Sequence, residues 1–177
     1  MKLNYIFGVT ILIALLSCNT GDNERTGWSF QFEQITREPN TARNEFFFTL
    51  TISSSTDLLK FLADENGVSI YLFCPLSKRD FSPEYISERP AQMSNFVSLE
   101  ELPTVLRSNR YLYPLMVGFE VDDHLVKEPS KIKHLIDKKN CVECKIVMAF
   151  MQLPPRRNIT SEPFCIPVDS ILKLISE

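Results

Sequence analysis

Six stretches of this chain place apolar residues at every second position, and that period constrains the fold more than any other feature. Trp28, Phe30 and Phe32 alternate with Ser29, Gln31 and Glu33; Phe46, Phe48, Leu50 and Ile52 alternate with Phe47, Thr49 and Thr51. Successive side chains on a strand point to opposite faces, so this pattern marks strands with one buried face. Val68, Ile70, Leu72 and Cys74 form a third such set, with Tyr71 and Phe73 opposite. Both of its faces are apolar, as in a central strand. Leu115–Val121, Cys144–Met151 and Phe164–Val168 complete the six.

The segments between them are of mixed character. Glu38-Pro39-Asn40 separates the first two strands at a spacing that predicts a hairpin. Asp57 is positioned to cap a short helix over Leu58–Ala63, and Asn66-Gly67 supplies a turn. Leu76–Asn95 is polar, carries Pro83 and Pro90, and reads as a long irregular excursion. Ser98-Leu99-Glu100-Glu101 fits a capping box, with Pro103 keeping its helix short or bent. Ser130 introduces a basic amphipathic helix, Lys131–Lys139. Pro154–Asn158 reads as a loop tip, and Ser170–Ile175 as a helix capped by Asp169, or a strand, with the helix preferred. Helices inserted irregularly among strands, and a first hairpin with no helix between its strands, predict an α+β fold. It is mainly an antiparallel β sheet or sandwich with a few short helices.

The N-terminus carries the most specific motif. Lys2 precedes an apolar run from Tyr5 to Leu16, and Leu15-Leu16-Ser17-Cys18 follows. A charged start, an apolar stretch too short for an ordinary span, and small or apolar residues before a cysteine have the order of a secretory signal. The segment resembles the lipobox of bacterial lipoproteins, with Leu16 a less usual choice at its position. That resemblance implies removal of residues 1–17 and a covalent lipid, palmitate among its chains, on Cys18. The polar residues that follow read as a lipidated linker over 18–26, and the change of composition at Gly27 opens one globular β-rich domain over 27–177. Asn19 stands where some bacteria place an aspartate to keep lipoproteins in the inner membrane. The resemblance therefore implies outer-membrane attachment in the cell envelope. Two or more acyl chains hold a protein stably on a bilayer.

Composition agrees with a packed domain outside the cytoplasm. Phenylalanine is frequent, 13 residues, and glycine scarce, 5. Acidic residues outnumber Lys and Arg, 22 to 19, which gives no general attraction for phosphate backbones and argues against nucleic-acid partners. Beyond Cys18 remain Cys74, Cys141, Cys144 and Cys165, which in an oxidising compartment read as possible disulfides. Four cysteines allow three pairings. Cys74 and Cys165 end strand-like runs, so a bridge across the sheet between them is one expectation.

Cys141-Val142-Glu143-Cys144 admits three readings: a redox dithiol, half a zinc site completed by Cys74 and Cys165, or structural disulfides. A strand-like run follows it, so no helix dipole is at hand to stabilise a thiolate, and the disulfide reading is preferred. His124 after Asp122-Asp123 reads as a solvated turn, and His134 as a residue on the exposed face of the basic helix. Two histidines ten residues apart have no recognisable metal spacing, and there is no nucleophile elbow, Walker loop or dinucleotide fingerprint. Glu100-Glu101 and Asp122-Asp123 are adjacent in sequence, which does not place two carboxylates across a bond. The basic helix offers lysines to lipid headgroups or an acidic partner, although a solvated face is the simpler reading. Asn158-Ile159-Thr160 matches a glycosylation sequon that belongs mainly to eukaryotes. Asp169-Ser170-Ile171 resembles the O-glycosylation signal of Bacteroidetes envelope proteins. No catalytic, metal or cofactor site is expected. The expected function is a lipid-anchored binding or assembly module with an envelope protein partner and contacts through Leu76–Asn95 and Pro154–Asn158. The alternatives are a periplasmic thiol oxidoreductase using Cys141/Cys144, and an immunity or inhibitor lipoprotein.

Overall fold

The computed structural model describes residues 28–37, 47–58, 60, 68–77, 81–82, 88, 90–95, 105–150 and 158–176. It is a mainly antiparallel β structure with two short helices. The strands are β1 Phe30–Arg37, β2 Phe48–Ser54, β3 Val68–Pro75, β4 Gln92–Asn95, β5 Val105–Arg107, β6 Arg110–Val121, β7 His124–Leu125, β8 Cys141–Phe150, β9 Asn158–Thr160 and β10 Phe164–Pro167. The helices are α1 Pro129–Ile136 and α2 Val168–Ser176. The sheet runs β1-β2-β6-β4-β3-β8-β10, with β5 and β7 on β6 and β9 on β8.

The predicted first hairpin is present: β1 pairs antiparallel with β2 from Phe30↔Ser54 to Arg37↔Phe48, with the register slipping between Phe32 and Gln34. That bulge inserts Glu33 and changes which side chains face inward. Phe30 is buried before it and Ile35 after it, so the apolar period changes from even to odd residues within one strand. Glu33 is put to use, since its Oε1 accepts from Ser53 Oγ. Arg110 Nε donates to the same Ser53 Oγ at 2.9 Å, and its Nη2 to the Ser53 carbonyl at 3.2 Å. One buried serine thereby ties β1, β2 and β6.

The long strand β6 organises one half of the sheet. Val117 pairs with Phe48 and Asn95, and Leu112 with Ser53 and Val105, so β2 lies along one edge while β4 and β5 share the other. Two two-residue turns flank it. Ser108 and Asn109 (φ 51° and 62°) join β5 to β6, and Asp122 and Asp123 (φ 50° and 61°) join β6 to β7. Positive φ at both central residues is the hairpin geometry that matches strand twist.

The strand β8 organises the other half. It pairs with β3 from Val68↔Phe150 to Phe73↔Lys145, and with β9 and β10 along its opposite edge. Ser161 joins those two short strands: its N–H donates to the Ile146 carbonyl at 2.9 Å, and its Oγ accepts from the Ile146 N–H at 3.0 Å. The sheet curls until its ends approach, making a nearly closed, barrel-like form. The Glu162 N–H donates to the Trp28 carbonyl at 3.0 Å, and the Phe30 and Phe164 rings lie 6.4 Å apart. Leu50, Ile52, Leu72, Leu115, Phe119 and Ile146 fill the interior without exposure, and Ile132 and Ile136 of α1 and Ile171 of α2 are buried with them.

Several local expectations change. The end of the Leu76–Asn95 excursion is strand β4, and Phe81 from its middle packs edge-on against Phe73 at 6.0 Å. With Val147 and Tyr71 this makes a second, smaller apolar cluster on the other face of the sheet. Asn158 belongs to β9 rather than to a loop tip, while residues 154–157 lie outside the described residues. The basic helix begins earlier, with Pro129 in its first turn, and stops at Ile136, so Lys138 and Lys139 fall in the turn before β8. The C-terminal segment is helical, as preferred, but it starts at Val168, which ends the strand one residue sooner. Of the helix over 58–63 only Leu58 and Lys60 are described, with Asp57 Oδ1 accepting the Lys60 N–H at 3.2 Å. The capping box at 98–101 and the lipobox lie outside the described residues.

Candidate functional site

The four cysteines of the domain sit on β3, β8 and β10, and strand geometry decides how they pair. Cys141 and Cys144 are three apart on β8, so they point to opposite faces of the sheet. Cys144 faces the core with no exposure, while Cys141 is half-buried on the outer side. Cys144 meets Cys74 of β3, whose Cα lies 4.2 Å away, and Cys141 meets Cys165 of β10 at a Cα separation of 5.7 Å. Both pairs are disulfide-compatible. The expected Cys74–Cys165 bridge is therefore replaced, because Cys74 faces inward and Cys165 outward. The C-x-x-C motif joins two different bridges instead of forming a dithiol or one side of a tetrahedral site. Among the described residues no group of three His, Cys, Asp or Glu is gathered as a metal would require.

A cleft of about 770 Å³ opens between the β6–β7 hairpin and α1. Val121, Leu125, Val126 and Leu135 give it an apolar floor, and His124, His134, Lys127 and Lys131 stand around it. Both histidines of the chain thus border one cleft, although neither has a motif around it. The turn at Asp122-Asp123 creates this arrangement by returning the chain along β6, where the Val126 N–H donates to the Phe119 carbonyl at 2.7 Å. Lys131 Nζ is held by Glu128 Oε1 at 2.9 Å; both side chains are largely exposed, so the pair adds little stability. Asp122, Asp123 and His124 are exposed, as expected of a solvated turn.

Other polar groups serve the fold. Glu120 Oε2 accepts from Gln92 Nε2 at 3.1 Å and from Ser94 Oγ at 3.0 Å, which fastens β4 to β6. Asn95 Oδ1 accepts the Leu72 N–H at 2.7 Å. Tyr113 lies inside the barrel with its hydroxyl accepting from the Leu58 N–H at 2.9 Å and donating to the Thr56 carbonyl at 2.8 Å. Burial pushes its phenol up to about 12, and burial also raises that of Tyr71. The Asp169-Ser170-Ile171 triplet lies in the first turn of α2, with Asp169 exposed, Ser170 half-buried and Ile171 fully buried. Glu100 and Glu101 lie outside the described residues.

Sequence reasoning did not foresee the histidine cleft, since the short passage from β7 into α1 that sets His124 and His134 on one cleft carries no motif. Nor did it associate Lys138 and Lys139 with Cys141, from which Asn140 separates them and beside which they line a small pocket. No family model matches the chain, and neither a curated protein nor a solved structure matches it.

Proposed function

We propose that this chain is a lipid-anchored protein of the bacterial cell envelope, held at the outer membrane through Cys18, whose β-rich domain acts as a binding or assembly module. The observation that carries this reading is the order of Lys2, the apolar run to Leu16, and Cys18. The cysteine pairs support it, because bridges persist in oxidising compartments and are rare in the cytosol. The domain offers its partner an apolar cleft rimmed by histidine and lysine, of a size suited to an anchoring side chain or small ligand. With Cys141 and Cys144 on opposite faces, the oxidoreductase alternative has no adjacent dithiol to work with. Growth with an alkyne analogue of palmitate tests the anchor: label is expected on the full chain and absent from Cys18→Ala. Label retained by Cys18→Ala, or missing from the parent, would refute attachment at that residue.

A further inference from the structure

The two cysteine bridges stand in opposite environments. Cys74 and Cys144 are unexposed in the core, whereas Cys165 is exposed on the outer face and Cys141 is half-buried beside it. Cys141 also lines a polar pocket of about 220 Å³ with Pro75, Lys138, Lys139, Asn140 and Glu143. The pocket exists because α1 stops at Ile136 and the chain must turn into β8. The Lys139 N–H donates to the Ile136 carbonyl at 3.0 Å, and the Val168 N–H to the Asn140 carbonyl at 3.2 Å, which fixes that turn. Two lysines against one glutamate among its lining residues give the pocket a formal net positive charge. Positive charge beside a bridge raises the local concentration of anionic thiolates.

We propose that Cys141–Cys165 is a thiol-exchange site that takes a small anionic thiol, while Cys74–Cys144 is a permanent staple. The incoming thiolate seats in the lysine pocket and attacks Cys141 Sγ. A sulfur–sulfur bond forms between it and Cys141, the Cys141–Cys165 bond breaks, and the electron pair leaves on Cys165 Sγ, where water solvates it. A second thiolate of the same class attacks the outer sulfur of the mixed disulfide and releases Cys141 as thiolate. Two external thiols are thus oxidised to one disulfide, their protons pass to Cys141 and Cys165, and the bridge is reduced. The fold is expected to survive both states, because β8 and β10 are also joined by strand pairing from Phe164↔Cys144 to Pro167↔Cys141. The proposal stands on exposure and the pocket, and is independent of lipid attachment.

The test uses the oxidised full chain in detergent, with mercaptoacetate and cysteamine as small thiols of opposite charge. Each rate is normalised to that thiol's rate with hydroxyethyl disulfide, and adducts are mapped by peptide mass after acid quenching. The adduct is expected on Cys141, forming about fivefold faster with mercaptoacetate, the size of one ion-pair interaction in water. Lys138→Gln/Lys139→Gln, at a surface turn, is expected to remove that preference while Cys74 and Cys144 stay bridged. Adduct on Cys165, equal normalised rates, parallel loss of both bridges, or no adduct would each overturn the proposal.

Discussion

Replacing Tyr113 with phenylalanine isolates a single buried hydroxyl whose two partners are both backbone groups. The ring is 1% exposed and Leu58 beside it is fully buried, so the variant keeps the packing and loses only the oxygen. The Leu58 N–H and the Thr56 carbonyl, at 2.9 and 2.8 Å from that oxygen, lose their partner. A buried group left unsatisfied costs about 1–3 kcal/mol, and the Thr56 carbonyl is only partly buried, so the expected loss is about 2–3 kcal/mol. For a domain of this size that corresponds to a fall in Tm of roughly 4–10 °C. Urea unfolding should show a lower midpoint with an unchanged slope. The pH dependence supplies a second readout. The folded phenol stands at about 12, above its unfolded value near 10, so the neutral form is favoured by folding. The stability tied to it is complete below pH 10 and drains away as pH rises toward 12, and Tyr113→Phe lacks this dependence. The gap between parent and variant should therefore narrow over that interval. A loss below about 0.5 kcal/mol, smaller than one typical net hydrogen bond, with a gap constant in pH, would refute the account of Tyr113 as the tie between β6 and the turn after β2.

Ser53→Ala removes the contact shared by Glu33 and Arg110 and should lower stability by about 1–2 kcal/mol in urea unfolding, whereas an exposed serine would register almost nothing. Asn109→Gly places glycine where φ is 62° and should raise stability by up to about 1 kcal/mol in the same assay; a loss would contradict the turn geometry. The bridge Cys74–Cys144 spans 70 residues and Cys141–Cys165 spans 24, so the chain-entropy model assigns them about 4 and 3 kcal/mol. Paired Cys→Ser replacement at Cys74 and Cys144 should lower Tm more than replacement at Cys141 and Cys165, the more so because both of the former are in the core.

The legible part of the fold was the part with an uninterrupted period. β2, β3, β6 and β8 line the core from both halves of the sheet with alternate residues, and alternation in sequence is a direct image of that. The bulge at Glu33 breaks the image, and Ile35 therefore escaped notice although its face is the same. β4 was hidden because Gln92-Met93-Ser94-Asn95 contains one apolar residue, held by polar contacts to Glu120 and Leu72. β5 and β7 were hidden because their turns use Ser-Asn and Asp-Asp, without the glycine that marks such hairpins. Disulfide pairing depends on strand order and on facing, and strand order across a sheet is a non-local fact. The opposite facing of Cys141 and Cys144 does follow from their spacing, given a strand that begins at Cys141 and not after it. The histidine cleft is local, lined by residues between Val121 and Leu135, but its shape depends on how the chain passes from β7 into α1, which carries no motif.

Attachment through Cys18 is the claim on which the reading of function rests, and membrane partition tests it most directly. Full-length chain and Cys18→Ala would be expressed in a lipoprotein-processing bacterium. Membranes would be washed with high salt and carbonate, and the distribution of chain read alongside the mass of its cysteine-bridged peptides. The account predicts the parent in the washed membrane fraction and Cys18→Ala in the soluble fraction, with the Cys74–Cys144 bridge present in both. Cys18→Ala retained by washed membranes, with its bridges formed, would contradict it.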